Sequence, residues 1–257
     1  MKTIVCAIQK GGQGKTMLAT HLAFYAAELG KRVLVVDLDT QGNFTSNLTV
    51  THDKTAAPAF GLFEGKRRPA LPLKLNAKKK GSIAAFTGSR QLVEVDETPE
   101  IKAGSLKKML AHYTADYDVC IIDPPPTLGK RLAAALIASN FVVMPFVPSR
   151  ESLDGLGDLM DTIEEHKQST NPTLRVIGLL ANKVNSRSKD QQSIIAQIKA
   201  AAPGMMLPMQ INERTSICGT LGRSKPVWDE SGGASQRLAA QETRKACSHI
   251  LSIVLKA

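Results

Sequence analysis

Residues 9 to 16 read Gln9-Lys10-Gly11-Gly12-Gln13-Gly14-Lys15-Thr16, a run that joins three glycines, two lysines and a hydroxyl. Glycines at 11, 12 and 14 let a backbone curl closely around an anion. A Lys-Thr pair after the last glycine offers a cation for the β and γ phosphates and a hydroxyl for Mg²⁺. The usual form of such a loop, G-x-x-x-x-G-K-[ST], would place glycine at position 9, where this chain has Gln9, and Lys10 is an additional cation. An apolar run before the loop and a helical pattern after it would bring backbone amides and a helix N-terminus to one point, a phosphate-binding arrangement.

Phosphoryl chemistry also needs carboxylates at the C-terminal ends of neighbouring strands. VVDLDTQGN (35 to 43) supplies Asp37 at a strand end, with Asp39, Gln41 and Asn43 beyond it. CIIDPPPTLG (120 to 129) supplies Asp123, followed by three prolines that stiffen the exit from the strand. A carboxylate at a strand end can instead cap the next helix. Two of them together with the glycine loop point to a site.

The elements that position these residues follow from apolar periodicity. TIVCAI (3 to 8), RVLVVDLD (32 to 39), YDVCIID (117 to 123), FVVMPFV (141 to 147) and LRVIGLLAN (174 to 182) read as buried strands. Helical patterns cover 16 to 29, 128 to 139, 151 to 167, 188 to 202 and 233 to 256. Apolar strands alternating with helices predict a doubly wound α/β fold, with a mainly parallel sheet and helices on both faces, as a single domain over 1 to 257. Residues 50 to 100 break this rhythm and read as a divergent insert. Its Lys66-Arg67-Arg68 and Lys78-Lys79-Lys80 clusters suit either a DNA-binding arm or solvated loops.

The chain carries Lys+Arg 33 against Asp+Glu 23, a net charge of +10. That excess favours a polyanionic partner, nucleic acid or an anionic membrane. Cys6, Cys120, Cys218 and Cys247 are far apart and form no C-x-x-C pair, so they read as reduced packing residues. Neither a signal peptide nor a membrane span is evident, and a cytoplasmic protein is expected. Few aromatics interleave with the basic residues, which disfavours single-strand stacking.

With these motifs in place, the chain resembles the ParA/MinD family of P-loop ATPases, whose deviant loop reads KGGxGK[TS]. The resemblance lies in KGGQGKT (10 to 16), VVDLDTQGN (35 to 43), IIDPPPTLG (121 to 129), VPSRESLDGLGDLMDTI (147 to 163), NERTS (212 to 216) and KPVWD (225 to 229). Within the family it is most similar to plasmid ParA-type partition ATPases of the short IncC type, which share AIQKGGQGKT (7 to 16) and the late PVW (226 to 228).

The resemblance implies an ATPase that binds ATP or ADP with Mg²⁺ and closes face to face as an ATP-bound homodimer. Lys10 would reach the partner's phosphates, a cation supplied in trans to phosphoryl transfer. Lys15 would contact the β and γ phosphates, Thr16 the Mg²⁺, and Gly11, Gly12, Gln13, Gly14 and Met17 the rest of the nucleotide's phosphate chain. Met17 stands where many members carry a second threonine. Asp39 would orient the attacking water, Asp37 would support the metal shell, and Asp123 would be the Walker B acid; Asn182, Lys183 and the loop at Pro226 would read adenine.

The resemblance also implies non-specific binding of double-stranded DNA, a nucleoid location, and a centromere-binding ParB-type partner that stimulates slow hydrolysis to move plasmid or chromosomal cargo. Candidate DNA-binding residues are Arg187, Lys189, Arg214, Arg223, Lys225, Arg237, Arg244 and Lys245. The alternative is a MinD-like ATPase that lies on a membrane through its C-terminal helix.

Overall fold

A computed structural model describes residues 1–48, 57–73, 80–230 and 232–257. Its strands are β1 (Lys2–Cys6), β2 (Arg32–Asp37), β3 (Leu71–Leu73), β4 (Ser82–Phe86), β5 (Val119–Asp123), β6 (Phe141–Phe146), β7 (Arg175–Val184) and β8 (Met206–Asn212). Its helices are α1 (Lys15–Glu28), α2 (Asn43–Leu48), α3 (Val93–Glu97), α4 (Gly104–Ala111), α5 (Lys130–Ala138), α6 (Arg150–Ser169), α7 (Lys189–Ala201), α8 (Thr215–Leu221) and α9 (Ala234–Lys256). The strands form one sheet in the order β3-β4-β2-β5-β1-β6-β7-β8. Every pairing is parallel except that of β3 with β4.

Helices cover both faces, which is why the central strands are apolar throughout. One face buries Val5, Leu34, Val36 and Ile122 against Leu132 and Leu136 of α5, Leu159 of α6 and Ile194 of α7. The other buries Ile4, Val35 and Ile121 against Leu18 and Leu22 of α1, Phe44 of α2 and Ile250 of α9. The register sets Asp37 directly beside Asp123 across the β2–β5 pairing. With β1 next to β5, both carboxylates lie beside the loop that leaves β1.

The five strands expected from apolar periodicity are present, and so is the doubly wound architecture. The interval read as a divergent insert proves to be partly structural. Ser82–Phe86 enters the sheet as β4, paired along its whole length with β2 from Arg32↔Ser82 to Val36↔Phe86. β4 is short and alanine-rich, and it follows a basic stretch, so its sequence carries little strand signal. Two further strands were not foreseen: β3, of three residues with a central proline, and β8, which has a mixed burial pattern and a proline in its middle. The two edge strands each carry a proline, Pro72 in β3 and Pro208 in β8, where the missing N–H obstructs addition of a further strand.

The Lys66-Arg67-Arg68 cluster is partly engaged within the fold. Arg67 pairs with Asp116 at 2.6 Å and lies over the Tyr113 ring, and Arg68 pairs with Glu64 at 3.0 Å. Lys78 and Lys79 lie outside the described residues. Cys6, Cys120 and Cys247 are buried free thiols, each pushed up chiefly by burial. The Cys218 side chain lies outside the described residues. Among the described residues, no helix is long and apolar enough to cross a membrane.

Candidate nucleotide site

The loop between β1 and α1 forms the floor of a cavity of about 510 Å³, within the range of small-molecule sites. Lys10 through Met17 line it, together with Asp39, Asn43, Pro126, Asn182, Lys183 and the stretch Asn212 to Thr215. Gly14 closes the loop with φ +96°, a left-handed conformation natural to glycine, and hands the chain to α1.

Side-chain hydrogen bonds to α6 and to the end of β7 staple this loop. The Gln13 side-chain oxygen accepts from the Val147 amide at 2.6 Å and from the Ser152 hydroxyl at 3.1 Å, tying the loop to the start of α6. Asn182 donates to the Gln13 carbonyl at 2.8 Å, and Lys183 Nζ donates to the Gly12 carbonyl at 2.9 Å, tying it to the end of β7. Gln9 occupies the position where the common loop has glycine. With its amide nitrogen turned toward α6, it donates to the Gly155 carbonyl at 3.1 Å and to Asp158 Oδ2 at 3.3 Å. Lys10 Nζ donates to Glu151 Oε2 at 2.7 Å in an exposed pair, which holds the Glu151 carboxyl below its ordinary range.

Lys15 and Thr16 converge on Asp123. Lys15 Nζ donates to Asp123 Oδ1 and the Thr16 hydroxyl to Oδ2, both at 2.7 Å. Burial raises the Asp123 carboxyl, while Lys15 and Thr16 pull the other way. Asp37 is fully buried, with its carboxyl pushed up to about 7 by burial and by Asp123. It accepts from the Thr45 amide and hydroxyl at 3.0 and 3.1 Å and from the Asp39 amide at 3.2 Å. Its carboxylate is thus engaged in shaping the loop that carries Asp39, and it does not line the cavity.

A Cβ at Gly14 would stand 1.9 Å from Asn182 Nδ2. Gly14→Ala therefore combines a strained φ with a collision against a buried staple, a cost of about 1–3 kcal/mol from the backbone alone. We expect a lower melting temperature and at least about tenfold weaker binding of a fluorescent nucleotide triphosphate. Unchanged binding would remove this turn from the site.

The structure does not bring every expected residue to the cavity. Pro226 is buried behind α1 and does not line it. His21 of α1 bridges this region, accepting from the Val227 amide at 3.1 Å while its other ring nitrogen lies 2.8 Å from the Met17 carbonyl.

The eight candidate DNA-binding cations also divide. Arg214 turns inward: it lines the cavity and pairs with Glu242 of α9 at 3.0 Å. Burial raises the Glu242 carboxyl, but Arg214 and the Asn212 donors outweigh it and hold it below the ordinary range. Arg223 pairs with Glu230 at 2.5 Å. Arg244 pairs with Glu28 at 3.0 Å and lies over the Tyr25 and Trp228 rings. Among the described residues, Arg187, Lys189, Lys225, Arg237 and Lys245 have no ion-pair partner.

Asn212, Glu213, Thr215 and Ile217 are cavity residues that spacing alone did not single out. The signal lay in the NERTS stretch, but β8, which delivers it, was not legible as a strand.

Comparison with known proteins agrees with this geometry. The AAA domain family matches residues 1–176. Protein IncC of Escherichia coli is 34% identical over 253 residues, covering 98% of this chain and 69% of that protein. The chromosome-partitioning ATPase Soj of Thermus thermophilus is 34% identical over 200 residues, covering 78% and 76%. A structure of cobyrinic acid a,c-diamide synthase from Mycobacterium smegmatis with bound ADP and magnesium superposes with a TM-score of 0.78 at 26% identity, covering 98% of this chain and 94% of that one. On its loop, its paired carboxylates and these relatives, the chain belongs to the ParA/MinD family of P-loop ATPases.

Proposed function

We propose that residues 1–257 act as a single-domain, ATP-dependent DNA-partition ATPase in the cytoplasm, associated with the nucleoid. The observation that carries this reading is the convergence of the two-lysine glycine loop and Asp39 on one cavity, with Asp123 buried directly behind Lys15 and Thr16, which both donate to it. Adenine would be read by the turn at Asn182 and Lys183 that borders the loop; Asn182 lines the cavity, and its buried side-chain oxygen has no hydrogen-bond partner among the described residues, an unmet acceptor at that border. Thr16 and Asp123 offer the hard oxygen ligands that Mg²⁺ takes. When bound, Mg²⁺ would neutralise charge on the phosphoryl group being transferred.

The chain's own groups divide the remaining work. Lys15 exchanges part of its contact with Asp123 for the β and γ phosphates. Asp39, exposed to the cavity and adjacent to the metal-side carboxylate, orients the attacking water. Lys10 reaches the phosphates of a second protomer. Its pair with Glu151 is exposed, with 44% and 77% of the two side chains accessible, so water screens it and little is lost when Lys10 leaves it. Dimerisation then depends on ATP, and hydrolysis releases the dimer.

The DNA-facing surface is carried by Arg187, Lys189, Lys225, Arg237 and Lys245, and a centromere-binding partner accelerates turnover. On α9, the apolar residues Ala246, Ile250, Leu251 and Val254 pack into the core, and the exposed Leu238 and Leu255 stand at opposite ends of the helix, which argues against a membrane-anchoring face.

ATP-dependent association measured by light scattering tests this account. Wild type should dimerise with ATP and Mg²⁺ but not with ADP. Lys10→Ala should bind ATP within about threefold of wild type yet fail to dimerise, a split expected of a group that acts in trans. A normal ATP dimer of Lys10→Ala would refute the role of Lys10.

A further inference from the structure

Arg131 is poorly placed by its local physics. It lies in the first turn of α5, where the helix dipole favours anions, and it is only 9% exposed, where a charge loses hydration. Its partners lie far off in sequence. The Arg131 amide donates to Asp96 Oδ1 at 3.2 Å and Nε to Oδ2 at 2.7 Å, while NH1 donates to the Leu38 carbonyl at 3.1 Å. The Leu38 amide donates to the Asp123 carbonyl at 2.9 Å. The peptide leading into Asp39 is therefore held by α5, and the one before it by β5.

Other groups close in on the same turn. Asp37 accepts from the Asp39 amide at 3.2 Å, and a Cβ on Gly88 would stand 2.3 Å from the Asp39 carbonyl oxygen. Gly129 lies against Asp96, with room for no more than a close contact at 3.1 Å. A largely buried ion pair offsets its own desolvation poorly, so a gain in stability is a weak explanation for Arg131–Asp96. Fixed geometry beside Asp39 is a better one.

We propose that Arg131, oriented by Asp96 of α3, is a positioning residue for Asp39, fixing the backbone from which that carboxylate faces the γ-phosphate end of the cavity. This rests on the reading of Asp39 as the group that orients the attacking water. The α3 segment, within the interval that reads as a divergent insert, thereby becomes part of the catalytic scaffold.

The test measures kcat, ATP affinity, melting temperature and amide exchange across residues 38–43. The variants are Arg131→Ala, Arg131→Lys, Asp96→Asn, Asp96→Ala, the double Asp96→Ala/Arg131→Ala, and Asp39→Ala. Arg131→Ala should lower kcat about tenfold with ATP affinity within about twofold, because only the placement of the water-orienting group is loosened. Exchange at 38–43 should rise, Arg131→Lys should recover part of kcat, and the double variant should be no worse than Arg131→Ala. Unchanged kcat, an equal loss of ATP affinity, or multiplicative effects in the double variant would each overturn the proposal. Should Arg131→Ala not fold, Arg131→Lys and Asp96→Asn decide by the same split between kcat and affinity. Wild-type hydrolysis by Asp39→Ala would instead show that the reading of Asp39 has failed, and the proposal with it.

Discussion

Lys15→Ala is expected to abolish measurable ATP binding at micromolar nucleotide. Lys15 is 6% exposed and sits at the head of α1, where the glycine loop and the helix dipole already favour an anion. A charge-assisted hydrogen bond is worth about 1.5–3 kcal/mol, and contacts to two phosphates would make the loss about 100-fold or more. The substitution also removes the cation that lies 2.7 Å from Asp123, leaving a buried carboxylate with only the Thr16 hydroxyl. Stability should therefore fall as well, so the binding titration is paired with a melt, and Lys15→Gln provides a variant that keeps the side-chain volume. Retained affinity in a folded Lys15 variant would contradict the loop assignment.

Asp39→Ala should separate binding from turnover. Asp39 lines the cavity and accepts only the exposed Gln41 amide within its loop, while the buried hydrogen bonds that Asp37 accepts from Thr45 remain in the variant. ATP affinity and ATP-dependent dimerisation should survive, while hydrolysis falls by about 10²–10⁴-fold, the range for a positioned acid–base group. Phosphate release under saturating ATP measures this. Undiminished release would move the water-orienting role to another residue.

Much of this site was legible in the sequence because its parts are local. The glycine loop needs its residues in order, and Asp37 and Asp123 each end an apolar strand, so their meeting across β2 and β5 follows from the doubly wound pattern. What was not legible depends on pairs remote in sequence. No local pattern links Arg131 to Asp96 and Leu38, or Arg214 to Glu242, and Arg214 and Arg244 read as DNA-binding candidates until α9 supplies Glu242 and α1 supplies Glu28. Pro226 looked like a base contact from its place in KPVWD, but packing holds that loop behind α1. β3, β4 and β8 escaped notice because shortness, alanine and proline dilute their strand character, although the sheet includes all three.

Retention of arbitrary duplex DNA, measured against salt with ATP and with ADP, tests the central claim most directly. The account predicts retention with ATP and Mg²⁺ that is lost with ADP, and a fall of log K against log salt with a slope of roughly −0.9 per phosphate neutralised. Charge reversal at Arg187, Lys189, Arg237 and Lys245 should flatten that slope while leaving ATP dimerisation intact. Equal retention with both nucleotides, or ATP-dependent sedimentation with anionic liposomes and none with DNA, would contradict it.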